Sequence, residues 1–135
     1  MSDPIQPETA PDIRATILVV DDERIITGML KRILEPNNYR VLVANDGHEA
    51  LGQLVGADPP VDLLVTDISM EPMDGCELAS HVTCKYPDVG ILLMSGCIKE
   101  TPPEQFIHFL PKPFTPNQFL QAINEVFTNK QRSKP

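Results

Sequence analysis

The chain has 135 residues and a formal net charge of -8, and a length of this kind suits one domain and is too short for two. The acidic balance argues against a protein that holds nucleic acid or an anionic membrane by its overall field. No apolar run is long enough to span a membrane, residues 1–10 lack an apolar signal core, and the 3 cysteines lack the spacing of a zinc or redox site. We therefore expect a cytoplasmic domain with no direct nucleic acid or membrane partner.

The first and last residues are predicted to be tails on either side of one folded unit. Residues 1–15 carry three prolines among acidic and small residues, with too little apolar surface to offset the entropy of ordering. Residues 130–135 form a short basic C-terminal tail, which we expect to be frayed. The predicted domain therefore covers residues 16–129.

Strands and amphipathic helices alternate through the first half of the chain. Aliphatic residues 17–20 predict a buried strand that ends at the acidic residues 21–23. A helical period then begins at Arg24, and its predicted buried stripe consists of Ile25, Ile26, Met29, Leu30, Ile33 and Leu34. Residues 39–44 predict a second strand, and residues 45–47 a turn that caps a helix over 48–57. The expected buried face of this second helix is Ala50, Leu51, Leu54 and Val55.

The second half of the chain continues the alternation. A third strand that stops at Asp67 is indicated by the apolar residues Val61, Leu63, Leu64 and Val65, and a helix over 75–85 follows an irregular loop. Residues 89–94 predict a fourth strand before Ser95, and residues 107–110 a short fifth strand before Lys112. In the last helix, Thr115 and Gln118 have the spacing of a capping box. Its apolar stripe is Phe119, Leu120, Ile123, Val126 and Phe127.

This alternation predicts an α/β fold, a doubly wound five-stranded parallel sheet with helices on both faces. Right-handed crossovers bring the carboxyl ends of all five strands to one edge, where open α/β sheets place their ligand sites. The side chains that the sequence places at this edge are Asp21, Asp22, Asp67, Ser95 and Lys112.

These five groups together indicate phosphoryl chemistry. Three converging carboxylates repel one another unless a cation lies among them, and hard oxygen ligands favour Mg2+ over zinc. Lys112 and Ser95 would then hold anionic oxygens, while Asp67 is placed to attack phosphorus. Each group alone has a structural alternative, such as turn chemistry for Asp67 or a solvated helix start for Asp21 and Asp22. Their occurrence at the ends of successive strands favours the functional interpretation.

Several motifs occur in order at compatible spacing: Ile-Leu-Val-Val-Asp-Asp-Glu (17–23), Ala-Asn-Asp-Gly-His-Glu-Ala-Leu (44–51), Asp67 with Met70, Pro72 and Met-Asp-Gly (73–75), Leu-Met-Ser-Gly (93–96) and Phe-Leu-Pro-Lys-Pro-Phe (109–114). Over residues 16–129 the chain resembles the receiver (phosphoacceptor) domains of two-component response regulators. The resemblance implies a flavodoxin-like (βα)5 fold with strand order 2-1-3-4-5. It also implies a phosphorylatable switch in a His-to-Asp phosphorelay.

The resemblance assigns roles around the predicted phosphorylation site. Asp67 is the expected phosphoacceptor, and Asp22, Asp67 and the Ser69 main-chain carbonyl are expected to bind Mg2+ directly, with Asp21 acting through water. The expected phosphodonor is a phosphohistidine on a sensor histidine kinase or a histidine phosphotransfer domain. Such a domain catalyses only its own phosphotransfer and autodephosphorylation, and is otherwise no enzyme.

The resemblance also implies how the signal leaves the site. Lys112 is the expected phosphate-binding lysine and Ser95 the switch hydroxyl. Phe109 is the aromatic residue that turns inward when Ser95 moves toward the phosphoryl group. The output would then pass to a downstream effector protein or to a fused domain. The chain is accordingly expected to be either a single-domain regulator or a receiver cut from a larger regulator or hybrid kinase.

Two features depart from the family pattern. In the loop after Asp67, Glu71 adds an acid and Pro72 lies one place later than is usual. Only sixteen residues separate Ser95 from Lys112, and they include Pro102 and Pro103. These residues predict a shortened or irregular fourth helix, since each helical turn takes about 3.6 residues. We therefore expect no dimer built on the fourth helix, last strand and last helix.

Other functions remain as alternatives. One is a receiver-like interaction module that is never phosphorylated, which the intact acidic and basic groups disfavour. Flavin binding would need a glycine- and hydroxyl-rich loop after the first strand, and residues 21–23 are acidic instead. An aspartyl-phosphate hydrolase would need a second acid two places after Asp67, where the chain has Ser69.

Overall fold

The computed structural model describes residues 13–96 and 108–133. Their five strands form one parallel sheet in the order β2-β1-β3-β4-β5, which confirms the predicted fold class and strand order. The elements are β1 (Ala15–Val20), α1 (Arg24–Leu34), a 3-10 turn (Glu35–Asn37), β2 (Tyr39–Ala44), α2 (Gly47–Gly56), β3 (Leu63–Asp67), α3 (Gly75–Lys85), β4 (Gly90–Ser95), β5 (Phe109–Pro111) and α4 (Pro116–Ser133). The predicted short fourth helix falls in residues 97–107, which lie outside the described residues.

Two apolar layers cover the sheet, one on each face. Because successive side chains of a strand point to opposite faces, alternate residues of β1 enter different layers. Ile17 and Val19 pack with α1 and α4, whereas Leu18 and Val20 pack with α2 and α3. Both faces of β1 and β3 are therefore buried, which explains their uninterrupted aliphatic sequence.

The predicted buried stripes of α1 and α2 are wrong at three positions. Ile25 is 85% exposed, Met29 is 39% exposed and Val55 is 72% exposed. Each residue turns the helix by about 100°, so six of eleven residues cannot share one buried face. In α1 the buried face instead includes Thr27, whose hydroxyl donates to the Arg24 carbonyl oxygen at 3.1 Å. Ile25 and Met29 lie outside this face.

The helix caps follow the sequence pattern closely. The Asp46 side chain accepts a hydrogen bond from the Glu49 amide at 2.8 Å, so α2 begins at Gly47, one residue before the predicted start. In α4 the Gln118 amide donates to Thr115 Oγ1 at 3.1 Å, and the Thr115 amide donates to the Gln118 side chain at 2.8 Å. This reciprocal pair confirms the predicted capping box.

The last two elements differ in length from their predictions. β5 covers Phe109–Pro111, whereas the predicted strand covered residues 107–110. α4 continues to Ser133, so residues 130–133, assigned to the C-terminal tail by the sequence, are helical. Among the described helices, none has the length and apolar character needed to cross a membrane.

Two glycines give a matched pair of stability predictions. Within the described ranges, no atom lies within 4 Å of a methyl group built on Gly52 in α2, whereas one built on Gly90 would lie 2.8 Å from Val126 Cγ1 and 3.2 Å from Leu63 Cδ1. We expect Gly52→Ala to raise the free energy of unfolding by about 0.5–1 kcal/mol, because alanine loses less backbone entropy in a helix. Gly90→Ala should lower it, because α4 packs directly on the Gly90 backbone. Urea unfolding measures both, and equal shifts would contradict this packing.

Candidate functional site

Parallel pairing brings two buried carboxylates together at the end of the central strands. Val20 of β1 pairs with Thr66 of β3, so Asp21 and Asp67, the next residues on each strand, are neighbours. Asp21 is 0% exposed and Asp67 is 6% exposed. One carboxylate oxygen from each of Asp21, Asp22 and Asp67 lies within 4.8 Å of the other two. The structure thus places these three predicted side chains in one acidic cluster.

Lys112 joins the acidic cluster from the end of β5. Its Nζ lies 3.2 Å from Asp21 Oδ2 and 3.2 Å from Asp67 Oδ1. The Lys112 amide donates to the Ser95 carbonyl oxygen at 2.7 Å, which continues the pairing of β4 with β5. The Lys112 side chain also passes Gly96, where a built methyl group would meet its Cδ at 3.8 Å. One ammonium group is therefore shared by two carboxylates that are almost fully buried.

Burial and crowding change the pKa values of these groups. Burial raises the pKa of Asp67 to about 6, and the Asp21 and Asp22 charges add to this rise while Lys112 opposes it. Burial also raises the pKa of Asp21, whereas the hydrogen bond from the Glu23 amide and the charge of Lys112 lower it. Burial lowers the pKa of Lys112, but the two carboxylates outweigh it and the resulting pKa lies above the usual value.

The donor set of the cluster fits a hard divalent cation. Among the described residues, three carboxylates face one ammonium group, so these four groups together carry excess negative charge when all are ionised. The donors are all carboxylate oxygens, which Mg2+ prefers over the nitrogen and sulfur ligands typical of zinc. Burial and the charges of Asp21 and Asp22 together raise the pKa of Asp67 although Lys112 lowers it, so a further positive charge at the cluster would favour the ionised form.

The loop after Asp67 connects β3 to α3 next to the acidic cluster. The Ile68 amide donates to the Met94 carbonyl oxygen at 2.9 Å, and the Ile68 carbonyl oxygen accepts from the Gly75 amide at 2.9 Å. Within the loop Met70 is buried, whereas Ser69 and Glu71 are exposed. Asp74 and Glu77 form a capping box at the start of α3 that was not predicted, although their spacing in the sequence is the usual signal for it.

Ser95 and Phe109 lie on the side of the site toward the edge of the sheet. Asp67 pairs with Met94, so Ser95 is one residue beyond this pair on β4, and it is buried. Phe109 pairs with Leu93, is half-buried, and packs against the apolar cluster that contains Ile68 and Leu93. Ser95 is therefore adjacent to the acidic cluster, and Phe109 contacts the apolar layer beside it.

Two contacts at the site were not predicted from the sequence. The Glu23 amide donates to Asp21 Oδ1 at 2.9 Å, and the Thr66 hydroxyl donates to the Asp67 carbonyl oxygen at 3.0 Å. The first has a sequence signal, since an Asp side chain commonly accepts from the amide two residues later. The second has none, because a buried threonine within a strand is common. The first contact holds the Asp21 carboxylate, and the second holds the main chain at Asp67.

Comparisons with known proteins identify relatives of this chain. The family model described as "Response regulator receiver domain" matches residues 17–124. Response regulator MprA of Mycobacterium leprae is 35% identical over 126 residues, which cover 88% of this chain and 52% of MprA. Sensor kinase CckA of Brucella abortus is 32% identical over 126 residues, which cover 88% of this chain and 13% of CckA. The chain thus spans about half, or much less, of the length of these curated relatives.

The solved structures give the same result for the fold. Response regulator protein TrrA of Thermotoga maritima, in a structure described as a complex with Mg(2+)-BeF, has a TM-score of 0.75 and 27% sequence identity. The match covers 83% of this chain and 98% of TrrA. The similarity therefore extends over nearly the whole of the smaller protein.

Proposed function

Because the chain belongs to the response regulator receiver domain family of two-component systems, we propose that Asp67 accepts a phosphoryl group from a phosphohistidine in the presence of Mg2+. One observation carries the proposal: Asp67 is buried at the end of the central strand, 3.2 Å from Lys112 and within 4.8 Å of the Asp21 and Asp22 carboxylates. A carboxylate nucleophile, an acidic cluster and an ammonium group are the parts that transfer to aspartate requires.

Each residue of the site has a separate task in this proposal. An Asp67 carboxylate oxygen forms the bond to phosphorus as the bond from phosphorus to the histidine nitrogen breaks, and the leaving imidazole takes a proton from solvent. Lys112 and Ser95 hold two of the phosphoryl oxygens. Asp22, Asp67 and the Ser69 carbonyl would hold Mg2+ directly, with Asp21 acting through water. When bound, Mg2+ supplies the positive charge that offsets the charge of the phosphoryl oxygens.

The proposed output passes from Ser95 to Phe109 and then to a partner surface. Ser95 moves toward the phosphoryl oxygens, and Phe109 turns into the space that the movement opens. A cavity of ≈ 280 Å³ between β5 and α4 supports this route, because Phe109 lines it together with Leu110, Gln118 and Ala122. A change at Phe109 would alter the shape of this surface for a downstream effector protein or a fused domain.

Beryllofluoride, which mimics a phosphoryl group, tests the proposal together with Mg2+. We expect it to raise the melting temperature of the wild type and to shift its amide NMR signals around residues 67, 95 and 109. Asp67→Asn should abolish both responses, because the amide cannot act as the anionic oxygen nucleophile or ligand. Asp88→Asn, an exposed substitution of the same type, is the matched control. A wild type without any Mg2+-dependent response would favour the unphosphorylated interaction module.

The exposed side chain of Ile25 supports a protein phosphodonor, a sensor histidine kinase or a histidine phosphotransfer domain. Ile25 is 85% exposed in the first turn of α1, which begins two residues after Asp22. A large aliphatic side chain beside an acidic site offers apolar contact to a docking protein, whereas a small phosphodonor needs no such contact.

We expect Ile25→Glu to slow phosphotransfer from a phosphohistidine protein by about 10-fold, equivalent to roughly 1.4 kcal/mol of lost docking energy. Its rate with phosphoramidate, a small donor, should stay unchanged. The matched control is Val55→Glu, since Val55 is also exposed but lies in the last turn of α2, toward the amino-terminal ends of the strands. Equal slowing by both substitutions would argue against docking at α1.

A further inference from the structure

Residue Gly47, in the first turn of α2, lies against the loop that follows Asp67. Gly47 is buried, and a methyl group built on it would lie 2.7 Å from Met73 Sδ, 3.1 Å from Met73 Cβ and 3.2 Å from Met73 Cγ. The contact at Cβ matters most, because Cβ is fixed to the main chain and cannot turn aside as the sulfur can. A side chain at position 47 would therefore press on the loop at Met73, whose Cβ would have to move away slightly.

We propose that Gly47 is a positioning residue that, through Met73, fixes the loop of residues 68–74 for metal binding and phosphorylation. The inference rests on the proposed function, because the same loop carries the Ser69 carbonyl that is expected to bind Mg2+. It assigns a role in the site to α2, a helix that contributes no residue to the acidic cluster. Without a close contact to α2, the loop would lose this support near its C-terminal end.

The first turn of α2 is a rigid support for this contact. The Asp46 side chain accepts from the Glu49 amide, and the Glu49 side chain accepts from the Asn45 amide at 2.8 Å. The Asp46 carbonyl oxygen also accepts from the Ala50 amide at 3.0 Å. The turn is joined to the site on its other side, where the Asp21 amide donates to the Ala44 carbonyl oxygen at 3.3 Å. Gly47 is therefore held in a turn with little freedom to yield.

Both ends of the loop are fixed to the nucleophile's own backbone. The Gly75 amide donates to the Ile68 carbonyl oxygen, and a methyl group built on Gly75 would lie 2.8 Å from the Asp67 carbonyl carbon and 2.9 Å from Ile68 Cα. Met70 is buried in the same apolar cluster in which Met73 is partly buried. With its ends held in this way, a displacement at Met73 must be absorbed by the residues between, which include Ser69.

Two substitutions separate positioning from general stability. Gly47→Ala adds a methyl group at the contact, and Met73→Ala removes most of the side chain without adding atoms, so it also serves where Gly47→Ala does not fold. Leu54→Val, in the apolar cluster that α2 and the loop share, is the control for loss of packing alone. We expect each of the two loop variants to weaken Mg2+ binding by about 10-fold, the lower end of the range for losing a group that orients a metal ligand. Leu54→Val should bind Mg2+ as the wild type does.

Calorimetric titration with Mg2+ and amide hydrogen exchange of the metal-free protein measure the effect. Exchange in residues 68–74 should rise in both loop variants and stay unchanged in Leu54→Val. The Mg2+ affinity of the double variant should be no lower than that of the single variant with the lower affinity, because both substitutions act on one contact. Wild-type Mg2+ affinity in both loop variants, or multiplied effects in the double variant, overturns the proposal. A wild type that responds neither to Mg2+ nor to beryllofluoride overturns the proposed function instead.

Discussion

Replacing Asp67 with asparagine is expected to stabilise the metal-free protein by about 3 kcal/mol above pH 7, because each unit of pKa shift corresponds to about 1.4 kcal/mol. Burial raises the pKa of Asp67 from 3.8 to about 6, so the ionised side chain is costly in the folded protein. Asparagine has nearly the same shape without the charge. The favourable contact with Lys112 is lost, but the raised pKa shows that burial and the neighbouring carboxylates outweigh it.

The sign of the pH dependence follows from the direction of the shift. The pKa of Asp67 is higher in the folded than in the unfolded protein, so its favourable contribution is complete below about pH 4 and is lost as the pH rises through about 6. The Asp67→Asn variant has no carboxyl group at this position, so its stability lacks this pH-dependent contribution. The difference in the free energy of unfolding between the two proteins should therefore be small at pH 4, increase between pH 4 and 6, and stay constant above pH 6.

Urea unfolding at a series of pH values with a chelator present measures this difference. Asp88→Asn is again the control, since the Asp88 side chain is exposed and should give no such pH-dependent gain. Added Mg2+ should stabilise the wild type and reverse the order of stability, because ligands stabilise the state that binds them. A wild type that is more stable than Asp67→Asn at pH 8 without metal would show that Lys112 compensates the charge fully.

The sheet and the acidic cluster could be predicted because both follow from short-range sequence patterns. Buried parallel strands are continuous aliphatic runs, and each run here ends at a polar residue that the sheet carries to its carboxyl edge. Once β1 and β3 are adjacent, the pairing of Val20 with Thr66 places Asp21 beside Asp67 without further information. The roles of Ser69, Ser95 and Phe109 stay predictions, since they concern a bound or phosphorylated state.

The wrong predictions of the buried faces of α1 and α2 have a different physical origin. Helical periodicity shows that apolar residues recur, but it does not show which part of a wide stripe faces the sheet. Burial of Thr27 in place of Ile25, and exposure of Val55, depend on how α1 and α2 are rotated against the sheet. The contact between Gly47 and Met73 could not be predicted either, because 25 residues lie between the two and no periodicity relates them.

Lys112→Met is expected to lower the free energy of unfolding of the metal-free protein by about 3–5 kcal/mol at pH 8, the usual cost of leaving a buried charge without its partner. Lys112 Nζ lies 3.2 Å from both the Asp21 and the Asp67 carboxylates, and Asp21 is 0% exposed. Methionine keeps much of the side-chain length beside Gly96 but carries no charge. The loss therefore reports the electrostatic part of the contact.

The loss should depend on pH, because Lys112 stabilises Asp21 and Asp67 only while they are ionised. Lys112 lowers the pKa values of Asp21 and Asp67, so its removal raises them further above their values in the unfolded chain. Stability then falls more steeply as the pH rises, and at about pH 4, where both carboxyl groups gain protons, most of the loss should disappear.

A comparison with Lys31→Met separates the site from ordinary surface charge. Lys31 lies 3.9 Å from Glu35, and both side chains are about half exposed, so its replacement should cost about 0–1 kcal/mol. Adding Asp67→Asn to Lys112→Met should recover part of the lost stability, because it removes one of the two uncompensated carboxylates. Added Mg2+ should also recover stability, since it brings positive charge to the same carboxylates, while transfer to Asp67 stays impaired. A Lys112→Met protein as stable as the wild type at pH 8 without metal would show that water already compensates this cluster.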